Sequence, residues 1–148
     1  LAAATATKHY IIRTSWVIGD GRNFVNIMQD LAARGVRPSV VNDQIGRLTF
    51  TDTLARGIRH LLETGAPYGT YNLTNEGQPV SWAEIAKIVF EKSGKSPSDI
   101  QPVSTAEYFA SKPGAAKRPL QSTLDLTKIE KTGFIPEDWR DKLDKLFG

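Results

Sequence analysis

Residues 40–50 combine several side chains that could bind a polar ligand. Two apolar β-branched residues lead into a polar segment that holds Asn42, Asp43, Gln44, Gly46 and Arg47. Amide and carboxylate groups can bind a sugar or a nucleobase, and a guanidinium group can hold a phosphate through two hydrogen bonds. The alternative is an ordinary connection in which the Asn and Asp side chains satisfy the backbone of a turn. Residue type alone does not decide between these interpretations.

The pattern of apolar residues predicts the elements that carry this segment. Apolar runs predict strands at 9–18, 38–42 and 69–74, and apolar residues spaced three or four apart predict helices after each strand. Strands that alternate with helices predict one α/β domain with parallel strand pairs. In such a fold ligands bind where a strand ends and the chain turns towards a helix, which is the position of residues 42–47.

Several polar residues predict where helices begin. Asn23 is a suitable N-cap for the first long helix. Ser81 with Glu84, and Ser104 with Glu107, have the spacing of a capping box, so each pair predicts a helix start. Helical spacing places Trp82 and Trp139 among apolar residues, and we expect both to be core residues.

Composition excludes several classes of protein. A chain of 148 residues is long enough for one domain with its own core. The chain has no cysteine, which excludes a disulfide framework and a zinc–thiolate site, and His9 and His60 are too far apart in sequence to suggest a metal. The net charge of +3 comes from scattered residues, and no apolar run has the length of a membrane span. We expect a cytoplasmic protein with no nucleic-acid or membrane partner.

Four groups of residues occur together and in order along nearly the whole chain. They are Ile-Arg-Thr-Ser-Trp-Val at 12–17 with Gly-Asp-Gly at 19–21 and Asn-Phe-Val at 23–25; Val-Val-Asn-Asp-Gln-Ile-Gly-Arg at 40–47; Tyr-Asn-Leu-Thr-Asn at 71–75 before Ser-Trp at 81–82; and Lys-Arg-Pro at 117–119. Together they resemble the C-terminal, substrate-binding half of the dTDP-4-dehydrorhamnose reductase family, which belongs to the extended short-chain dehydrogenases/reductases. Two positions depart from the family pattern, where Ile18 replaces the usual Tyr and Leu48 the usual Pro.

The resemblance implies an activity and a cofactor. Enzymes of this family reduce the C4 ketone of a dTDP-4-keto-6-deoxyhexose with NADPH or NADH, in the synthesis of dTDP-L-rhamnose. The family's Tyr-x-x-x-Lys motif, which supplies the proton, lies on the helix before the strand that begins at Tyr10. We therefore expect residues 1–8 to be the tail of that helix, and we expect no catalytic residue in this chain. A Gly-rich dinucleotide turn is also missing, since Gly19 and Gly21 lack the third glycine.

The resemblance also implies roles for individual residues. Trp16 could stack on the apolar face of the deoxyhexose, and its alternative is a core position. Asn23 could help to hold the diphosphate at a helix N-terminus, which is compatible with its alternative role as a cap. Gln44 belongs to the same substrate site. Arg47 and Arg118 are the expected partners of the diphosphate, approaching it from two sides.

Thr14 and Ser15 are further candidates for contact with the cofactor. Both residues could line the nicotinamide side, although hydroxyls at a strand end are often only backbone partners.

The alternatives for the function are another nucleotide-sugar epimerase or dehydratase, and a non-catalytic regulatory subunit of the same family. The sequence leaves open the preference between NADH and NADPH, and whether the protein forms a homodimer.

Overall fold

The fold consists of short paired strands surrounded by helices. A computed structural model describes residues 5–110, 114 and 116–148. Within these residues the strands form four two-stranded sheets, three parallel and the last one antiparallel. The pairs are Tyr10–Arg13 (β1) with Gly69–Asn72 (β6), Val17–Ile18 (β2) with Thr49–Phe50 (β5), Ser39–Val41 (β3) with Gln101–Val103 (β8), and Ile45–Gly46 (β4) with Val80–Ser81 (β7).

Helices separate most of these strands. They are Phe24–Ala33 (α1), Thr51–Glu63 (α2), Trp82–Lys92 (α3), Thr105–Phe109 (α4), Thr127–Glu130 (α5) and Trp139–Asp144 (α6), with a 3₁₀ turn at Pro97–Asp99. The predicted α/β class with parallel strand pairs is confirmed. Among the described residues, no helix has both the length and the apolar character needed to cross a bilayer.

The predicted helix starts are confirmed by their hydrogen bonds. The Asn23 side chain accepts from the backbone N–H of Asn26 and caps α1. Ser81 accepts from the N–H of Glu84 at the start of α3. Ser104 and Glu107 form a complete capping box at α4. Of the helix tail predicted at 1–8, residues 1–4 lie outside the described residues.

The predicted single strand at 9–18 is wrong, because two separate strands occupy this region. β1 and β2 belong to different sheets, and the chain turns between them at Trp16, which has a φ of 51°. A residue with a side chain pays about 1–2 kcal/mol for this left-handed conformation. The turn is held by Thr49, whose N–H donates to the Trp16 carbonyl (3.0 Å) and whose hydroxyl donates to the Ser15 carbonyl (2.6 Å).

Two apolar clusters stabilise the fold. The larger one joins α1, α3 and α6 to β3 and β5, and contains Trp139, which is fully buried. The smaller one joins α2 and α5 to β1 and β6 around Tyr71 and Leu73. Trp139 is thus a core residue, as expected. Trp82 is not, because it is only partly buried at the edge of the larger cluster.

Candidate functional site

The main cavity lies where β1, β3, α1, α3 and α4 meet. Its volume is about 600 Å³, within the range of pockets that hold small organic ligands. Aromatic side chains form much of its wall, and polar groups lie between them. The aromatic residues are Trp16, Phe24, Trp82, Tyr108 and Phe109, and the polar residues are Ser15, Ser39, Gln44, Arg118 and Ser122.

Trp16 lies against Trp82 in this wall. Their ring centroids are 3.8 Å apart and their planes differ by 21°, and Phe24 packs on Trp82 from 4.4 Å. A methyl group added at Gly46 would lie 2.9 Å from two ring atoms of Trp16. The backbone of Gly46 thus packs closely on the indole ring of Trp16, which is also stacked on Trp82. Trp16 remains partly exposed and lines the cavity.

This geometry bears on the role predicted for Trp16. A sugar stacked on the indole needs an open part of the ring, and the contacts with Trp82 and Gly46 cover part of it. Trp16 lines the cavity, and its contact with the sugar stays a prediction. In this arrangement the Trp16 side chain forms part of the cavity wall and packs the region after β1 against the start of α3.

The polar segment after β3 is fastened to α4. The Asp43 carboxylate accepts hydrogen bonds from the Thr105 N–H (2.9 and 3.0 Å) and from the Thr105 hydroxyl (2.6 Å). These bonds from the Thr105 hydroxyl and then its N–H lower the pKa of Asp43, so the carboxylate stays ionised. Gln44, which is 6% exposed, donates from Nε2 to the Thr105 hydroxyl oxygen (3.1 Å). Asp43 is therefore an anchor for α4, a role that the sequence did not suggest.

Arg118 lies at the open side of the same cavity. Its side chain is exposed and lies near the wall that carries Gln44. None of the ion pairs found among the described residues includes Arg118. Its guanidinium group is thus available to an anion at the rim. The structure brings Arg118, Gln44 and Trp16 to one cavity.

Arg47 lines a different cavity. This cavity of about 250 Å³ also contains Glu76, Asp125 and Glu130, and Nε of Arg47 is buried there without a hydrogen-bond partner. Burial raises the pKa of Glu76, and a hydrogen bond with Glu130 raises it further. A diphosphate would meet repulsion from these acidic groups. The structure does not bring Arg47 and Arg118 together, and a diphosphate role for Arg47 stays a prediction without geometric support.

Asn23 lies apart from the main cavity. Its Nδ2 donates to the carbonyls of Gly19 (2.7 Å) and Gly21 (3.2 Å), while its oxygen caps α1. These bonds use both hydrogens of Nδ2, and Asn23 borders a separate cavity that also contains Asp20 and Asp52. The capping role is confirmed, whereas contact with a diphosphate stays a prediction.

The two residues predicted near the nicotinamide differ in position. Ser15 lines the main cavity, and its hydroxyl donates to the Ser122 carbonyl (3.1 Å). Thr14 is exposed and does not line this cavity. Their contact with a cofactor stays a prediction. Among the described residues no group of three or more His, Asp or Glu side chains is placed to hold a metal ion.

Part of the aromatic wall of the cavity was not predicted from the sequence. Tyr108 and Phe109 follow the correctly predicted capping box of α4, and this helix comes soon after a strand, which was the available signal. A Tyr-x-x-x-Lys spacing does occur in this chain, at Tyr108 and Lys112. The pair follows β1 instead of preceding it, so it does not occupy the family's position, and Lys112 lies outside the described residues.

Comparisons with known proteins agree with one another. The sequence model of the RmlD substrate binding domain matches residues 2–148. The spore coat polysaccharide biosynthesis protein SpsK of Bacillus subtilis (strain 168) is 40% identical over 144 residues, which cover 97% of this chain and 48% of that protein. The dTDP-4-dehydrorhamnose reductase of Aggregatibacter actinomycetemcomitans is 36% identical over 155 residues, covering 99% of this chain and 52% of the reductase.

A solved structure gives the same picture in three dimensions. The dTDP-4-dehydrorhamnose reductase from Bacillus anthracis str. Ames, solved in complex with NADP, superposes with a TM-score of 0.85 and 36% identity. The match covers 98% of this chain and 50% of that one. The chain therefore spans about half the length of the curated relatives that it matches.

Proposed function

The chain belongs to the RmlD substrate binding domain family, and we propose that it forms the substrate-binding part of a dTDP-4-dehydrorhamnose reductase. In this proposal the complete enzyme uses NADPH or NADH to reduce the C4 ketone of a dTDP-4-keto-6-deoxyhexose. The names of the relatives support this substrate class, and the NADP held by the Bacillus anthracis reductase supports a nicotinamide cofactor.

One observation carries the proposal for this chain. The main cavity combines aromatic walls, a buried amide at Gln44 and an exposed guanidinium at Arg118. A nucleoside diphosphate has the matching parts, since a flat base can enter between aromatic side chains and a diphosphate can remain at a basic rim. The base lies inside, the diphosphate meets Arg118, and the sugar extends beyond the rim.

The described residues include no complete Gly-rich dinucleotide turn. A nicotinamide dinucleotide needs a Gly-rich turn whose backbone stays open to the pyrophosphate. Gly19 and Gly21 lack the third glycine of such a turn, and Gly19 packs closely on Thr51, whose side chain a methyl group at Gly19 would approach to 2.5 Å. In this proposal the cofactor and hydride transfer belong to a part of the enzyme outside this chain.

The chain's own contribution is binding and orientation. Trp16 and Trp82 form a stacked wall, and Asp43 holds α4 so that Tyr108 and Phe109 close the cavity from the other side. A wall fixed in this way limits the positions of the bound base and excludes water from it. A ligand held firmly at its nucleotide end presents its sugar in a restricted set of orientations, which is how remote binding energy assists a reaction.

Titration of dTDP into the 148-residue chain tests the proposal. Binding near Trp16 and Trp82 should change the tryptophan fluorescence in a saturable way, and calorimetry should give the same midpoint. Inorganic pyrophosphate is the control ligand, and it should bind more weakly because it lacks the base. The proposal is wrong if dTDP produces neither heat nor a saturable fluorescence change up to millimolar concentrations.

A further inference from the structure

The hydrogen bonds around Thr105 have only one consistent direction. The Asp43 carboxylate carries no hydrogen, so the single hydroxyl hydrogen of Thr105 points to Asp43 Oδ1, at 2.6 Å. The Thr105 oxygen can then only accept in its contact with Gln44, at 3.1 Å. The Gln44 group that faces Thr105 must therefore be the NH₂ group. This fixes the orientation of the whole amide.

The fixed orientation leaves the carbonyl oxygen of Gln44 free for a ligand. Within the described part of the chain, no hydrogen bond to Gln44 Oε1 is found, and only Arg47 Nε is both buried and without a partner. Oε1 is therefore still accessible, and Gln44 lines the main cavity. The cavity thus presents an acceptor at this point, and its donor is already used.

The surroundings of Gln44 suit a flat heterocycle better than a sugar. The helix to which Gln44 is bonded carries Tyr108 and Phe109, and both rings line the same cavity. Nucleobases stack favourably on aromatic side chains, because every base has a π-face. Gln44 is 6% exposed whereas Arg118 is exposed at the rim, so a nucleotide would enter with its base towards Gln44.

We propose that Gln44 is a specificity-determining residue, whose Oε1 accepts a hydrogen bond from the imide N3–H of thymine or uracil, and that Asp43 and Thr105 act as positioning residues for it. Cytosine has an unprotonated N3 at the same place and would set one acceptor against another. This inference rests on the proposed function, because it assumes that the cavity takes a pyrimidine nucleotide.

The first test uses altered ligands on the unaltered chain, so it does not depend on the folding of any variant. Calorimetric titrations compare dTDP, dUDP, dCDP and dTDP methylated at N3. The chain should bind dTDP and dUDP similarly, and the other two ligands roughly 5- to 30-fold more weakly, as expected for one lost hydrogen bond that leaves a buried acceptor unpaired. Equal binding of dTDP and its N3-methyl form would overturn the proposal while leaving the proposed function intact.

The second test releases the amide. Thr105→Val removes the hydroxyl but keeps the N–H that bonds to Asp43, so α4 should remain anchored. The Gln44 amide can then turn and donate to cytosine, so the preference for dTDP over dCDP should fall towards one. Gln44→Met should shrink the penalty for N3 methylation, and Gln101→Met, at an exposed strand position, should change neither ratio.

The outcomes separate the two proposals. If Thr105→Val keeps the full preference for dTDP, the proposal that Asp43 and Thr105 position the Gln44 amide is refuted. If the unaltered chain binds none of the four nucleotides, the proposed function fails, and the assignment of Gln44 fails with it. If the chain binds all four equally, the proposed nucleotide site stands and only the assignment of Gln44 is lost.

Discussion

The indole rings of Trp16 and Trp82 lie face to face, with centroids 3.8 Å apart and planes inclined by 21°. Trp16 ends the first strand region and Trp82 begins α3, so the stack ties together two elements that are remote in sequence. The stack is formed entirely by groups of the protein, so the fold itself determines this part of the cavity wall.

Gly46→Ala should disturb this stack. The new methyl group would lie 2.9 Å from the Trp16 ring, which is also packed against Trp82 and so has little freedom to move. We expect a loss of about 1–3 kcal/mol in the free energy of unfolding, as for an overpacked core, and a changed near-ultraviolet circular dichroism spectrum. Urea unfolding measures the loss.

Gly148→Ala is the control, since its nearest neighbour would be 3.8 Å away. A Gly46→Ala/Trp16→Ala double variant should lose less than the sum of the single losses, and additive losses would contradict the steric account.

Arg118→Ala should weaken dTDP binding by roughly ten- to a hundredfold at low salt, the value of a lost hydrogen bond to a charged group. The effect should diminish with added salt because Arg118 is exposed. Arg47→Ala should leave dTDP binding nearly unchanged, because Arg47 lines the other cavity. Calorimetric titration measures both, with exposed Arg140→Ala as the control. If Arg47→Ala weakens binding as much as Arg118→Ala, the two arginines do share the diphosphate.

Asp43→Asn should change how stability depends on pH. The pKa of Asp43 in the folded protein is lowered from its ordinary value of 3.8, first by the Thr105 hydroxyl. A carboxyl group whose pKa is lowered by folding stabilises the fold at pH values above its ordinary pKa. This contribution is lost as the pH falls through the folded-state pKa. The parent should therefore lose its stability advantage over Asp43→Asn between pH 5 and strongly acidic conditions. Thermal unfolding across this range measures it, and parallel curves for the two proteins would refute the assignment.

Glu76→Gln should change the pH dependence of stability in the opposite direction. Burial and the neighbouring Glu130 raise the pKa of Glu76 above 4.5, so ionisation at neutral pH opposes folding. The neutral form of Glu76 makes its full stabilising contribution at pH values below the ordinary pKa of the group. This contribution is lost as the pH rises through the raised pKa of the folded protein. The variant should thus be more stable than the parent at pH 7 and similar to it near pH 4. Chemical unfolding at both pH values provides the measurement. A variant that is less stable at pH 7 would show that the Glu76 carboxylate contributes a favourable contact with Arg47.

The 148-residue chain alone should not oxidise NADPH when mixed with dTDP-4-keto-6-deoxyglucose. The physical reason is that Gly19 and Gly21 lack the third glycine of a dinucleotide-binding turn. Absorbance of the cofactor gives the rate, and a complete dTDP-4-dehydrorhamnose reductase is the positive control. A steady loss of NADPH above the background without protein would show that the chain holds a cofactor site after all.

Local chemistry explains which features were predictable from sequence. Asn23, Ser81 and Ser104 cap helices through bonds to residues three positions away, so their roles are visible in a short segment. The turn at Trp16 was not predictable, because its positive φ depends on Thr49, a residue distant in sequence. A positive φ is rare for an aromatic residue, and nothing local signals it.

The separation of Arg47 from Arg118 has a simple geometric cause. Successive side chains along an extended strand point to opposite faces. Gln44 and Arg47 flank the strand Ile45–Gly46 and are an odd number of positions apart, so they reach different cavities. The sequence identified a ligand-binding segment, but treated its polar residues as one group. Alternation along the strand divides that group in two.

The pairing of strands across the chain also bears on how the protein reaches its native state. β1 pairs with β6 and β3 pairs with β8, and several other elements lie between the members of each pair. Such pairs gain their hydrogen bonds only after a long loop has closed, and chains dominated by distant contacts fold slowly. During synthesis on the ribosome, β1 can form its hydrogen bonds with β6 only after the chain through β6 has emerged. Such late pairing lengthens the time during which a newly made chain is exposed to aggregation.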